Sequence, residues 1–308
     1  MIRHICVAVF IAVASLQPAF AQTDEEVAAA RQLYIDGDYA AALLVLIPAA
    51  EAGNPRAQNI VGAAYQYGNG GLPVDSAKAL QYFGLSAAQN FPSAHHNLGV
   101  LYENGMQGIT PDLQVARAFY EQSVAIGWLG SFKNLSYLLR EGIGGPADVP
   151  RAIALLEQGQ AQGDIASIHE LGYMYHEGVG VPVDMVKARD FYQQAAAAGI
   201  PGAQSDFGAM LESGQGGPID LQGAMAQYQL AINAGFAYGG INAAWLIFEN
   251  PDVFPDLVQG LAYCFWARDT AVGEEAEEFR IACDEVALDY SSEDIKYATT
   301  RAEVIGTN

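Results

Sequence analysis

An aspartate returns along this chain at Asp38, Asp75, Asp112, Asp148, Asp184, Asp220 and Asp256, in steps of 36 or 37 residues. A period of that length restricts the fold to an array of small units, each unable to bury its own apolar face and stable only when stacked on its neighbours. Four residues after each Asp stands a small residue (Ala42, Ala79, Ala116, Ala152, Ala188, Ala224, Gly260), and eleven after it another (Ala49, Ser86, Ser123, Gly159, Ala195, Ala231, Ala267). A spacing of seven holds both on one helical face. Between them, eight after the Asp, lies a mostly bulky residue: Leu46, Phe83, Tyr120, Leu156, Tyr192, Tyr228, then Cys264. Small stations let a neighbouring helix approach closely while the bulky one fills the gap. The Asp is read as the N-cap of this helix, its carboxylate accepting from exposed backbone N–H groups. Pro73, Pro111, Pro182, Pro218 and Pro255 close the preceding loops, and Gly53, Gly127, Gly163, Gly199 and Gly235, fifteen after their Asp, stop the helix.

The other half of each period carries Leu-Gly-x-x-Tyr or a variant: Val61-Gly62 with Tyr65, Leu98-Gly99 with Tyr102, Leu171-Gly172 with Tyr175, Phe207-Gly208 with Leu211. This predicts a first helix ending at Gly68, Gly105, Gly142, Gly178 or Gly214, where a left-handed cap suits glycine. The unit is therefore helix, Gly-rich turn, Asp-capped helix and short Gly link, and about seven such hairpins cover 22–272. Two further helices, Glu275 to Asp289 and Ser292 to Ile305 with Ser291 or Ser292 as N-cap, make residues 273–308 an acidic terminal cap.

The run from Leu171-Gly172-Tyr173-Met174-Tyr175-His176-Glu177-Gly178 through Val183-Asp184 to Ala188-Arg189-Asp190-Phe191-Tyr192 resembles the Sel1-like repeat, and several other periods match it. The match is weakest at the first hairpin, at 130–164 where Ser136 replaces the glycine, and at 239–272. The resemblance implies an all-α, right-handed α/α solenoid related to tetratricopeptide repeats and used chiefly to hold other proteins. It also brings in periplasmic regulators of exopolysaccharide synthesis, which bind the sensing domain of a membrane histidine kinase, and cysteine-rich secreted members linked to β-lactam hydrolysis.

Compartment is read from the N-terminus. Arg3 and His4, the apolar run Ile5 to Leu16 and Ala19-Phe20-Ala21 form a secretory signal over 1–21, cut after Ala21, so the expected location is periplasmic or secreted. No later segment is apolar enough to insert in a membrane. With Lys+Arg 14 against Asp+Glu 35 the net charge is -21, and the few cations are scattered, which argues against nucleic acid. Hydrophobic residues at 51% supply a core.

Chemistry is absent from the motifs. Gly84-Leu85-Ser86-Ala87 lacks the strand-to-helix turn of a nucleophile elbow, Asp206-Phe207-Gly208 is this period's Leu-Gly position, and neither a Ser-x-x-Lys nor a His-Glu-x-x-His occurs. His169 and His176 share a helical face but lack a third ligand nearby. Cysteine pairs in most repeats are the hallmark that the resemblance implies for the β-lactam hydrolases, and here one pair exists in all. No catalytic residue, cofactor or metal is expected. Cys264 and Cys283 lie almost symmetrically about the turn near Gly273, which predicts a disulfide in an oxidising compartment, with two buried thiols as the alternative.

By analogy with tetratricopeptide solenoids, the first helices line a concave groove. Its stations lie three before, one after and four after the Leu-Gly glycine. The candidate partner-binding residues are Asn59, His96, Glu103, Lys133, Tyr137, Arg140, His169, Tyr173, His176 and Glu212. Lys133, Arg140, two tyrosines and two histidines gather at its middle, residue types that carry interface energy. The expectation is a non-enzymatic scaffold or regulator that binds an envelope or membrane-anchored protein through an acidic and apolar segment. The alternatives are a receptor for a small ligand or cell-wall fragment and, as the resemblance implies, a β-lactam hydrolase like the cysteine-rich members. Trp245 and Phe248 are read as packing against the C-terminal cap or as a second anchor.

Overall fold

The computed structural model describes residues 23–306, so the signal segment expected from the sequence at 1–21, with its cleavage site, lies outside the described residues. Among the described residues there are sixteen α-helices and no strand. They fall into two compact units that divide after Asp112. The first holds α1 (Asp24–Ile35), α2 (Tyr39–Glu51), α3 (Pro55–Tyr67), α4 (Ser76–Ala87) and α5 (Pro92–Asn104). The second begins with α6 (Leu113–Ala125), α7 (Phe132–Glu141), α8 (Val149–Ala161), α9 (Ile165–Glu177) and α10 (Met185–Ala197). It continues with α11 (Pro201–Ser213), α12 (Leu221–Asn233), α13 (Ala237–Glu249), α14 (Leu257–Thr270), α15 (Glu274–Ala287) and α16 (Ser292–Ala302). Within each unit every helix up to α14 packs on the next in the chain, the arrangement of an all-α solenoid of stacked hairpins.

Local chemistry accounts for the helix ends. Asp38, Asp75, Asp148, Asp184, Asp220 and Asp256 each accept a hydrogen bond from the backbone N–H three residues on, at 2.8 to 3.3 Å. Gly68, Gly142, Gly178 and Gly214 close the first helices in the left-handed region. Gly105 differs: its φ of 69° goes with a ψ of 173°, an extended mirror conformation reserved for glycine. A Cβ there would meet Pro111 Cδ at 2.8 Å and the Ile109 carbonyl at 2.9 Å. The link after α4 has Asn90 where other hairpins have glycine, and Asn90 takes φ 57°, a conformation asparagine bears better than other non-glycine residues.

Core packing follows the small and bulky stations. All fourteen small stations are buried, and so are the seven bulky ones. The glycine of the first helix meets the aromatic ring of the second. A Cβ at Gly62 would stand 2.7 Å from Phe83, one at Gly172 2.7 Å from Tyr192, and one at Gly208 2.6 Å from Tyr228. Where the bulky station is Leu156 or Cys264, the glycine gives way to Ser136 or Ala244. Ser86, at a small station, is buried and donates to the Pro55 carbonyl at 2.7 Å, which makes it part of the packing.

Successive hairpins of the second unit are also tied through their turns. Arg189 on α10 donates to the carbonyls of Met210, Gln215 and Pro218 at 3.1 to 3.3 Å, clasping the turn after α11. Arg117 on α6, itself buried, donates to the Pro146 carbonyl at 3.0 Å in the turn after α7. Both stand five residues after their Asp. In the hairpin between them Ile153 fills that place beneath Gly180.

The end of the second unit is closed by α15 and α16, both packed on α14. Cys264 and Cys283, each fully buried, are joined by a disulfide with Cα atoms 5.6 Å apart. Arg301 on α16 donates to Asp256, the N-cap of α14, at 2.7 Å. Ser291 caps α16, which ends three residues before the position expected from sequence.

Candidate functional site

The first helices present a repeating polar column. In the first unit Asn97 Nδ2 donates to Asn59 Oδ1 at 2.9 Å, from α5 back to α3. In the second unit Lys133 Nζ lies 3.4 Å from Glu170 Oε1, His169 Nε2 2.7 Å from Asp206 Oδ2, and Asn242 Nδ2 donates to Ser205 Oγ at 3.0 Å. Each pair joins the station three before the glycine to the station two before it in the following hairpin. The ladder crosses α7, α9, α11 and α13 and ties those helices side by side.

The sequence-predicted groove residues divide between the units. In the first, Asn59 is part of the ladder, and His96 and Glu103 are half-buried on α5. Burial pushes the His96 imidazole below its ordinary value, favouring the neutral ring. In the second unit Lys133, Tyr137 and Arg140 on α7 meet Tyr173 on α9. The Arg140 guanidinium sits 5.4 Å from the Tyr137 ring centroid and 5.0 Å from that of Tyr173. His169 and His176 flank the buried Tyr192 ring at 5.6 and 6.2 Å between centroids. Burial, reinforced by Asp206, raises the Tyr192 hydroxyl far above its ordinary value, so it remains neutral. Glu212 on α11 accepts from the Tyr228 hydroxyl at 2.6 Å. The station before the glycine is not exposed everywhere: Ser205 and Ile241 are buried.

The electrostatics correct one expectation. The middle of this face is not a free cationic patch, because Glu170 takes Lys133 on one oxygen and Arg140 on the other at 3.5 Å, while Arg140 Nε pairs with Glu141 at 2.7 Å. His169 faces Asp206, and His176 Nδ1 faces Glu177 Oε1 at 2.6 Å. Two cations are matched by two carboxylates, so the patch is close to neutral and its long side chains are held in place. Glu170 and Asp206 escaped the sequence reading, although the polar column Asn97, Asn134, Glu170, Asp206 and Asn242 is visible there as a second period.

What stays exposed on the face is aromatic. One station after the glycine, Tyr137 is 43% exposed, Tyr173 39% and Trp245 36%. Phe248 instead turns inward: a Cβ at Gly260 would stand 2.6 Å from its ring, and the ring lies 6.5 Å from that of Tyr290 between centroids. Phe248 therefore packs into the C-terminal cap, and Trp245 lies at its edge, 5.6 Å from Phe248 between centroids. Among the described residues no three His, Cys, Asp or Glu side chains come together as a metal site.

The sequence matches the Sel1 repeat family at residues 55–91, 92–127, 133–164, 165–200 and 201–239, more than half of the chain. A Sel1 repeat protein from Oxalobacter formigenes superposes with a TM-score of 0.64 at 23% identity, over 88% of this chain and 99% of that one. A protective antigen present in uropathogenic Escherichia coli strains, described as displaying an SLR fold, gives a TM-score of 0.63 at 24% identity over 91% of this chain. This chain spans 60% of the antigen's length. At these identities the likeness is one of fold. No curated protein matches the chain.

Proposed function

The chain belongs to the Sel1 repeat family, and on that premise we propose that it is a non-enzymatic scaffold, exported to the periplasm or beyond, that holds a protein partner on the face carried by α7, α9, α11 and α13. Sel1 repeats generally mediate protein–protein interaction, and their solenoids are typically non-catalytic. The observation that carries the reading is the exposed aromatic row Tyr137, Tyr173 and Trp245, mounted on helices that the polar ladder ties together. Exposed aromatic side chains on a rigid, charge-balanced face bury much area at little entropic cost when a partner arrives. The signal-like N-terminus makes an envelope or membrane-anchored protein the expected partner. Among the described residues no helix is long and apolar enough to cross a membrane.

Site-specific photo-crosslinking tests this. A photoreactive phenylalanine at Tyr137 or Tyr173 should crosslink one protein of the host's envelope extract, and the same group at Leu230 on α12 should not. Equal crosslinking from Leu230 would remove the first-helix face as the binding surface.

A further inference from the structure

We propose that a cavity at the C-terminal ends of α9, α11 and α13 receives a basic side chain, lysine or arginine, from the partner protein. The inference rests on the scaffold function and adds the chemistry of one subsite to it. Along the exposed row the stations of the second unit read Tyr137, Tyr173, Ala209 and Trp245. Ala209 is the small member, and beside it opens a cavity of about 650 Å³. Its apolar lining comes from Ala209, Ile219 and Leu221, and its charged lining from Glu212 on α11 and Glu249 on α13, with His176 at the α9 side.

No lysine or arginine lines the cavity. Neither Glu212 nor Glu249 is in an ion pair among the described residues. Arg189, which reaches the Gln215 carbonyl, is committed to the three backbone oxygens of the turn. His176 has both ring nitrogens engaged, with Glu177 and with Gln215 at 3.1 Å. The contrast with the neighbouring hairpins is direct: around Tyr137 and Tyr173 the chain compensates its own charges through Glu170, whereas around Ala209 two carboxylates face the same space without a lysine or arginine. Burial pushes the Glu212 carboxyl upward, the Tyr228 hydrogen bond opposes this, and the charge of Glu249 adds to the rise. A side chain with a methylene stem and a cationic head fits this lining, the stem against the apolar residues and the head between the carboxylates.

The experiment is panning of a phage-displayed random 12-residue peptide library against the protein, followed by fluorescence anisotropy on the enriched peptides. The expected result is a lysine or arginine at one fixed peptide position. Its replacement by norleucine or citrulline should weaken binding to the unaltered protein about tenfold or more and have little effect on the Glu212→Gln/Glu249→Gln protein. Peptides that lose binding to a Tyr137→Ala/Tyr173→Ala protein but show no fixed basic position, or show a fixed acidic one, overturn the subsite and leave the face standing. A neutral replacement that costs as much on the Gln protein as on the unaltered one likewise overturns the subsite alone. Peptides that bind the tyrosine variant equally well, or no enrichment at all, overturn both. Circular dichroism melts of each variant establish that it is folded.

Discussion

Gly172 lies against the ring of Tyr192, so close that a Cβ at residue 172 would stand 2.7 Å from the ring's Cδ1. The glycine of one helix and the aromatic ring of the next form a single packing device. Gly172→Ala gains helix propensity of about 1 kcal/mol and meets overpacking that costs about 1–3 kcal/mol. The expected outcome in urea denaturation is a net loss of stability. Combining it with Tyr192→Leu should recover much of the overpacking cost, since the double change approaches the Ser136 and Leu156 pairing of the preceding hairpin. Additive losses in the double-mutant cycle would show that the two residues do not act together.

The Cys264–Cys283 bond spans 19 residues of sequence and joins α14 to the cap. Closing a loop of that size stabilises by about 3 kcal/mol in the chain-entropy account. Because both cysteines are fully buried, a reductant should act on the folded protein slowly and lower the melting temperature fully only after an unfolding cycle. Free-thiol titration before and after unfolding checks this, and two titratable thiols in protein produced in an oxidising compartment would rule the bond out.

Arg189 holds the turn after α11 by three carbonyl bonds. Arg189→Met keeps the stem and removes the donors, and should cost about 1–3 kcal/mol. Hydrogen exchange should rise first in the turn at 214–218, a local loosening that a uniform loss of stability would not produce.

Asn90 occupies φ 57° where five of the other links use glycine. Asn90→Gly should raise stability by a few tenths to about 1 kcal/mol, the relief of left-handed strain exceeding the added chain entropy of the unfolded state. A lowered denaturation midpoint would mean that the asparagine side chain stabilises the link.

Glu212 gives a pH dependence of definite sign. Its folded value is raised, chiefly by burial, so its contribution to stability is full below the ordinary carboxylate range and is lost as pH rises through the higher folded value. Glu212→Gln keeps an acceptor for Tyr228 and removes the charge. It should be more stable than the unaltered protein near neutrality, with the difference shrinking toward acid. Stability gained where binding of basic peptides is lost would mark a carboxylate kept for recognition. Thermal melts from pH 4 to 8 measure it.

The hairpins, their caps and their small and bulky stations were legible in the sequence because each rests on local chemistry. A carboxylate three residues before an amide, a glycine at positive φ and a seven-residue spacing act within one helix, and the 36- or 37-residue period carries them into a solenoid. The first helices could be located, and the aromatic row on them counted, from the Leu-Gly position. The charge of that face could not. Lys133 and His169 each meet a carboxylate 37 residues away, and Arg140 meets Glu170 30 residues away. A column of polar residues in the sequence does not say which member pairs with which. The stagger between neighbouring hairpins decides that, and it exists only once the helices are stacked. Tertiary packing therefore made the middle of the face neutral and left Glu212 and Glu249 together beside Ala209, where side chains from α11 and α13 converge only once the helices are stacked.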